Sequence, residues 1–536
     1  MQLSPSAHAD TFCRDNLPPS ERWPEFLFDL PDVQYHERLN CATELLDSVV
    51  AQYGPDRPCL HAPGQPTWTY GDLLARANQI ANYLTGTLEI VPGNRVLLRG
   101  PNNPWLVACW LGVLKTGAVV VTTMPLLRPS ELTAIDDAAT INLSLCDHRS
   151  IEDLNNTGLA APAILYGSDD PDDLTARVAT QPTTYDNAET AADDVALLAF
   201  TSGTTGRPKA TMHFHRDVLA NADTFSKHVL EPRPDDVFTG TPPLAFTFGL
   251  GGIVVFPLRV GASTLLIEKA TPAELAGLID EFGATICFTA PTAYRAMLSS
   301  GDVKRLESLR VGVSAGEHLP AATWEAFFEA TGVALVNGIG STEMLHIFIS
   351  ASGEDIRPGS TGRAVPGYVA TIVDEQGEPV PPGTVGRLAV KGPTGCRYLA
   401  DDRQLTYVQN GWNITGDTFV QDDDGYFWYQ ARSDDMIVSA GYNIAAPEVE
   451  EALLMHDDVA ECAVVSVPDE QRGALVKAYV VLRDGIAGDD PKRTELQDFT
   501  KRQIAPYKYP RAIDFIDALP RTPTGKLQRF RLRSQS

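Results

Sequence analysis

Between about residue 66 and residue 430 the chain alternates short Val/Ile/Leu/Phe runs with helical patterns, and this rhythm restricts the fold more than any other feature. NRVLLRG is followed by PNNPWLVACWLGVLKTG, and AVVVTTMP by RPSELTAIDDA; the pattern returns in ASTLLIEK, TPAELAGLIDEFG, ATICFTAP and LRVGVSAGE. Runs that are apolar at nearly every position fit strands covered on both faces, so helices must flank them in a layered α/β body. In such a body, ligands gather at the carboxyl ends of the strands.

The rhythm changes between about 360 and 430, where GRAVPGYVATIVDEQGEPVPPGTVGRLAVKGP alternates apolar and polar residues around Gly/Pro turns and predicts antiparallel β structure. Past ARSDD at 431–435, NIAAPEVEEALLMHDDVAECAVVSVPDE reads as helix then strand, and the remainder suffices for a small α+β domain. The boundary is placed near Asp434, giving an N-terminal domain over 1–433 and a C-terminal domain over 434–536.

Within the body, Leu198 to Ala210, LAFTSGTTGRPKA, reads as a phosphate-holding loop. Gly203 and Gly206 permit backbone conformations that a Cβ forbids, so N–H groups can converge on phosphate oxygens. Thr201, Ser202, Thr204 and Thr205 add hydroxyl donors, and Lys209 adds a charge. The preceding ADDVALLAF predicts a buried strand, and HRDVLANADTF predicts a helix whose N-terminus favours an anion. No Gly-Lys-Ser/Thr closes the segment, so it is not a Walker loop.

The chain has 69 acidic and 43 basic residues, a formal charge of −26, which opposes broad binding to nucleic acid or an anionic membrane. An anionic ligand therefore needs a local positive site. SDDPDD at 168–173 and QDDDG at 421–425 read as solvated loop charge. The eight cysteines form no CxxC pair and fit reduced packing thiols of a cytoplasmic protein. His213 and His215 lack the partners of a zinc set and read as structural. No secretory signal opens the sequence, and the longest apolar run, near 250–267, is interrupted by Arg259.

Five separated segments together resemble the acyl-adenylate-forming superfamily: TSGTTGRPK at 201–209, GIGSTE at 338–343, TGD at 415–417, ARSDDMIVSAGYN at 431–443 and PRTPTGK at 520–526. The resemblance covers nearly the whole chain and implies a large multi-subdomain body, layered α/β with a distorted β-barrel part, and a small mobile α+β C-terminal domain. It also implies ATP, Mg2+ and coenzyme A: a carboxylate attacks the α-phosphate to give acyl-AMP, and a thiol then displaces AMP. No protein nucleophile is required, so catalysis rests on positioning and charge neutralisation.

By this resemblance the loop with Thr201, Ser202, Gly203, Thr204, Thr205, Gly206 and Lys209 cradles the β- and γ-phosphates, Thr204 and Glu343 hold the metal, and Thr342 and Glu343 count with Lys526 as catalytic residues. Asp417 meets the ribose hydroxyls, with Arg432 close to the same sugar. Ala315, Gly316 and Glu317, with Asn337, Gly338, Ile339 and Gly340, form the strand ends around adenine. Lys526 bridges carboxylate and α-phosphate, Asp434 is the hinge, and Gly441 lets a pantetheine arm pass. Within the superfamily, GIGSTEMLHIF and AFTFGLGG resemble the acid-pocket segments of aryl-CoA ligases of the benzoate and 2-aminobenzoate group. This implies pocket walls at Phe246, Phe248, Ala315, Ile339, Gly340 and His346. The stretch from GPTGCRYLADD to NIAAPEVE is nearer to 2-aminobenzoate ligases, with benzoate and salicylate as alternatives. A carrier protein loaded in trans could replace coenzyme A, a regulator without turnover is a third reading, and a homodimer is left open.

Overall fold

The apolar runs become the inner strands of two largely parallel sheets. The computed structural model describes residues 3–201, 208–301, 303–432, 436–439, 442–469, 473–504, 508–521 and 527–533. One six-stranded sheet runs Ala163–Tyr166, Leu143–Asp147, Arg95–Arg99, Val119–Thr123, Val195–Thr201 and Lys209–Phe214, parallel except for the last strand. All of Arg95–Arg99 is buried, as a continuous apolar run requires. At the end of that strand, fully buried Arg99 donates to the carbonyls of Met124, Pro125 and Leu127 and fixes the crossing loop.

A nine-stranded sheet has a parallel centre of Pro58–His61, Ser263–Leu265, Val237–Gly240, Ile286–Thr289, Val311–Ser314 and Leu335–Gly340. The edges, Trp68–Thr69 and the Ile347–Ser350/Arg363–Ala364 pair, are antiparallel. Between the sheets, helix Pro104–Lys115 buries almost every residue; Asn103 caps it by accepting from the Leu106 N–H at 2.9 Å, and Pro104 starts its first turn. Each fully buried Leu or Val side chain there stabilises the body by ~1.5–3 kcal/mol.

The expected antiparallel region is a five-stranded sheet of Val369–Val373, Val385–Lys391, Trp412–Gln421, Val408–Gln409 and Phe427–Arg432. Beyond it stand a hairpin, Met436–Ser439 with Tyr442–Ala445, helix Ala446–Leu454, and a three-stranded sheet of Val459–Asp469, Gly473–Leu482 and Ala512–Phe515. This part has its own core, including Ile437, Ile444, Val449, Val464, Val480 and Leu496. Among the described residues no helix is long and apolar enough to cross a membrane.

Two sequence expectations need correction. The helix expected from His215 forms at His215–Asn221, but its N-terminus is not open to an anion, and the segment before it, Lys209–Phe214, is a strand pairing antiparallel with Val195–Thr201. The first turn of the helix is buried, and Asp217 accepts from the Phe214 N–H at 2.9 Å, so that helix end is satisfied by its own carboxylate. Nor is SDDPDD wholly solvated: Asp173 is 2% exposed and accepts from the backbone N–H groups of Ser168 and Thr175. Both histidines are fully buried, and burial pushes each imidazole down to about 3. All eight cysteines are buried and free.

Candidate active site

Thr201 ends strand Val195–Thr201, Ala315–Glu317 follow Val311–Ser314, and Asn337–Gly340 end Leu335–Gly340, so these sequence candidates lie at carboxyl ends of strands. Thr201 and Lys209 stand opposite each other across the hairpin, so the loop between them connects two strands. Ser202, Gly203, Thr204, Thr205 and Gly206 lie outside the described residues, as do Asp434, Gly441 and Lys526. Lys209 Nζ donates to the Tyr398 hydroxyl at 3.3 Å and lies 5.1 Å from the centre of its ring.

Glu343 follows strand Leu335–Gly340 in a tight turn, in which Met344 N–H donates to Ser341 and Leu345 N–H to Thr342. Leu345 takes φ 71°, a strained conformation for a side chain with a Cβ, held here by its buried position. Glu343 is 8% exposed and accepts from the Tyr398 hydroxyl at 2.5 Å. Burial, then the Glu343 charge, pushes the Tyr398 phenol far above its usual range, so it stays a donor. His213 Nε2 donates to the Thr342 carbonyl at 2.8 Å, and Ser341 Oγ lies 3.2 Å from the Tyr407 hydroxyl.

Asp417, half-buried on Trp412–Gln421, is in register with Arg432 on Phe427–Arg432. Asn337 donates to the Ser360 carbonyl at 3.1 Å. Gly316 has φ +86°, which a larger residue would resist, and it delivers Glu317 toward Arg521 of the C-terminal part, 3.4 Å away. Burial raises the Glu317 carboxyl from its ordinary value, opposed chiefly by Arg521. Ala321 N–H also donates to Glu451 at 3.2 Å, so the two parts meet beside the Ala315–Glu317 turn.

His346 is 3% exposed, inside a box of Phe225, Phe248, Phe256 and Phe288, with ring centres 4.6–6.2 Å away. Burial pushes its imidazole down to about 3, leaving it neutral. Nε2 lies 3.3 Å from the Phe248 carbonyl, which can only accept, so Nε2 carries the proton. Nδ1 then offers a lone pair and, among the described residues, has no hydrogen-bond partner. Phe246 caps the short helix Thr247–Leu250 and is half-buried, as are Phe248 and Ile339; Ala315 is buried. Gly340 is obligatory by close approach, because a Cβ there would meet the His346 carbonyl at 2.5 Å.

A Cβ on Gly251 would approach the His346 ring at 2.4 Å. Gly251→Ala is therefore expected to displace the imidazole and cost about 1–3 kcal/mol of stability through overpacking. A thermal melt indistinguishable from the parent would contradict this packing.

The arrangement presents one buried carboxylate, hydroxyl and carbonyl oxygens, and a lysine near one point, beside an aromatic box with a spare acceptor. An oxygen donor set of this kind suits Mg2+. Sequence reasoning missed Tyr398 and Tyr407, which sit in CRYLADDRQLTY with no pattern to mark them, and it read His213 as structural without seeing its reach to Thr342.

A family model described as AMP-binding enzyme matches residues 46–398, and one described as AMP-binding enzyme C-terminal domain matches 448–526. Benzoate–CoA ligase of Thauera aromatica is 35% identical over 518 residues, 94% of this chain and 97% of that protein. The crystal structure of the anthranilate CoA ligase AuaEII in complex with anthranoyl-AMP aligns with TM-score 0.88 at 34% identity, over 94% of this chain and 99% of that one. A benzoate CoA ligase from Burkholderia xenovorans LB400 aligns with TM-score 0.84 at 32% identity, over 92% and 100%.

Proposed function

The chain belongs to the AMP-binding enzyme family, and from that premise we propose that its preferred substrate is 2-aminobenzoate, converted to the acyl-adenylate and then to the coenzyme A thioester. The protein is an acid–thiol ligase of the aryl-CoA type that uses ATP, Mg2+ and coenzyme A. The observation that carries the substrate reading is the His346 Nδ1 lone pair, buried and unpartnered among the described residues. An ortho-amino group brings two N–H donors to such an acceptor, whereas benzoate brings none. Similarity to an anthranilate ligase supports the same choice.

The residue roles belong to this proposal. Lys209 and the loop 201–206 grip the terminal phosphates, and Asp417 with Arg432 holds the ribose. Glu343 and Thr204 hold magnesium, which when bound neutralises charge on the phosphate oxygens. Ala315, Gly316, Glu317, Asn337, Gly338, Ile339 and Gly340 frame adenine, while Phe246, Phe248 and Ile339 wall the aromatic ring. The domain boundary falls at Asp434, about which residues 434–536 swing so that Lys526 serves the first step and Gly441 the second. A cytoplasmic location and coenzyme A as the acceptor in place of a carrier protein complete the reading.

Thioester formation is measured with 2-aminobenzoate, benzoate, salicylate and short fatty acids. His346→Phe is expected to cut the 2-aminobenzoate to benzoate ratio of kcat/KM by ~10-fold, the scale of one substituent contact. A parent enzyme that prefers benzoate, or a ratio untouched by the substitution, would overturn the substrate choice; transfer to a purified carrier faster than to coenzyme A would replace the acceptor.

A further inference from the structure

The chain segment 396–399 runs antiparallel beside Lys209–Phe214 and brings together two parts of the site that are far apart in sequence. Met212 N–H donates to the Arg397 carbonyl at 2.8 Å, and Leu399 N–H to Ala210 at 2.9 Å. Between these bonds Tyr398, fully buried, projects its ring under Lys209. Its own N–H donates to Gln404 Oε1 at 2.9 Å, and Gln404 in turn donates to the Cys396 and Arg22 carbonyls, so the tyrosine backbone is fixed from both sides. Tyr407 closes the third side, edge-on at 5.9 Å.

The Tyr398 hydroxyl therefore accepts from Lys209 and donates to Glu343 Oε1. Among the described residues, no hydrogen bond reaches Glu343 Oε2. One oxygen is thus anchored and the other is left for a ligand. A chain of hydrogen bonds from a cation through a hydroxyl to a carboxylate strengthens each link, and a carboxylate held at one oxygen loses the rotamer freedom it would otherwise surrender on binding a metal.

We propose that Tyr398 is a positioning residue for Glu343, holding one carboxylate oxygen so that the other faces magnesium, and coupling that carboxylate to Lys209 of the phosphate loop. This rests on the metal role given to Glu343 above. Partners that orient a ligating group typically contribute 10–100-fold to metal affinity, so the effect is readable.

The test is binding of Mn2+ to the full chain in the presence of ATP and no acid, followed by electron paramagnetic resonance. Tyr398→Phe keeps the ring and its packing on Tyr407 while removing the hydroxyl. It is expected to raise the Mn2+ half-saturation by at least ~10-fold, and to raise the Mg2+ concentration needed for half-maximal pyrophosphate release to match, with the KM for the acid unchanged. Tyr426→Phe removes a hydroxyl that donates to the Asp355 carbonyl, away from Glu343, and should leave the Mn2+ half-saturation in place. Glu343→Gln calibrates both. If Glu343→Gln shifts the metal titration and Tyr398→Phe does not, the proposal for Tyr398 fails. If Glu343→Gln leaves the titration unmoved, the metal role of Glu343 fails instead. A Tyr398→Phe protein with a lowered melting temperature and an unshifted Mn2+ titration would show a packing role only, and would also overturn the proposal.

Discussion

Arg397→Met should destabilise the protein by about 3–5 kcal/mol at pH 8, because it leaves a buried carboxylate without its cation. Arg397 and Asp217 are both fully buried and paired directly, 180 residues apart in sequence. Arg397 also lies 3.8 Å over the Phe214 ring, so the pair sits in apolar surroundings just behind Tyr398. Burial raises the Asp217 carboxyl and lowers the Arg397 guanidinium to about 10, each opposed by the other's charge. Without Arg397 the chief opposing charge on Asp217 is gone, and its folded-state pKa rises further. A carboxyl raised in the folded state binds its proton more tightly folded than unfolded, so falling pH favours the fold. The deficit of Arg397→Met should therefore be smaller at pH 5 than at pH 8. Denaturant unfolding at the two pH values measures this, and a variant as stable as the parent at pH 8 would refute it. Arg397→Met combined with Asp217→Leu should recover much of the loss, since an apolar replacement of a buried ion pair is often neutral.

That pair also shows where sequence reading stops. Strands such as Arg95–Arg99 and Val119–Thr123 were legible because a parallel strand covered on both faces leaves an unbroken apolar run. The placing of Ala315–Glu317 and Asn337–Gly340 at strand ends came from the family resemblance, and they do lie at the ends of Val311–Ser314 and Leu335–Gly340. The hairpin behind the glycine loop was missed because KATMHF mixes buried polar and apolar residues, and its polar members, Thr211 and His213, are satisfied or packed only in the tertiary structure. Tyr398 and Arg397 carry no local signal, since each acts through partners more than 50 residues away. Asp173 looked like loop charge because composition cannot distinguish a solvated carboxylate from one that caps a helix.

Lys526→Ala is expected to reduce acid-dependent pyrophosphate release by ~10²–10³-fold, the loss seen when one preorganised charge-stabilising donor is removed. The first step brings a carboxylate against a phosphate, two anions, in a chain whose own charge is −26. Only a local cation can offset that repulsion, and it must arrive late enough not to bar substrate entry. Among the described residues Arg521, five residues before Lys526, pairs with Glu317 beside the Ala315–Glu317 turn at 3.4 Å and with Glu461 at 2.9 Å. In the second step the thiol attacks the aroyl carbon and AMP leaves with the electron pair on its α-phosphate. In the swung arrangement proposed above, however, Lys526 no longer faces that phosphate, so the rate should stay close to that of the parent. Lys526→Arg should rescue little, because a planar fork does not replace a compact ammonium at a site bridging two oxygens. Pyrophosphate release and thioester formation from synthetic adenylate, measured on one preparation, separate the steps; equal losses in both would sink the assignment of Lys526 to the first step alone.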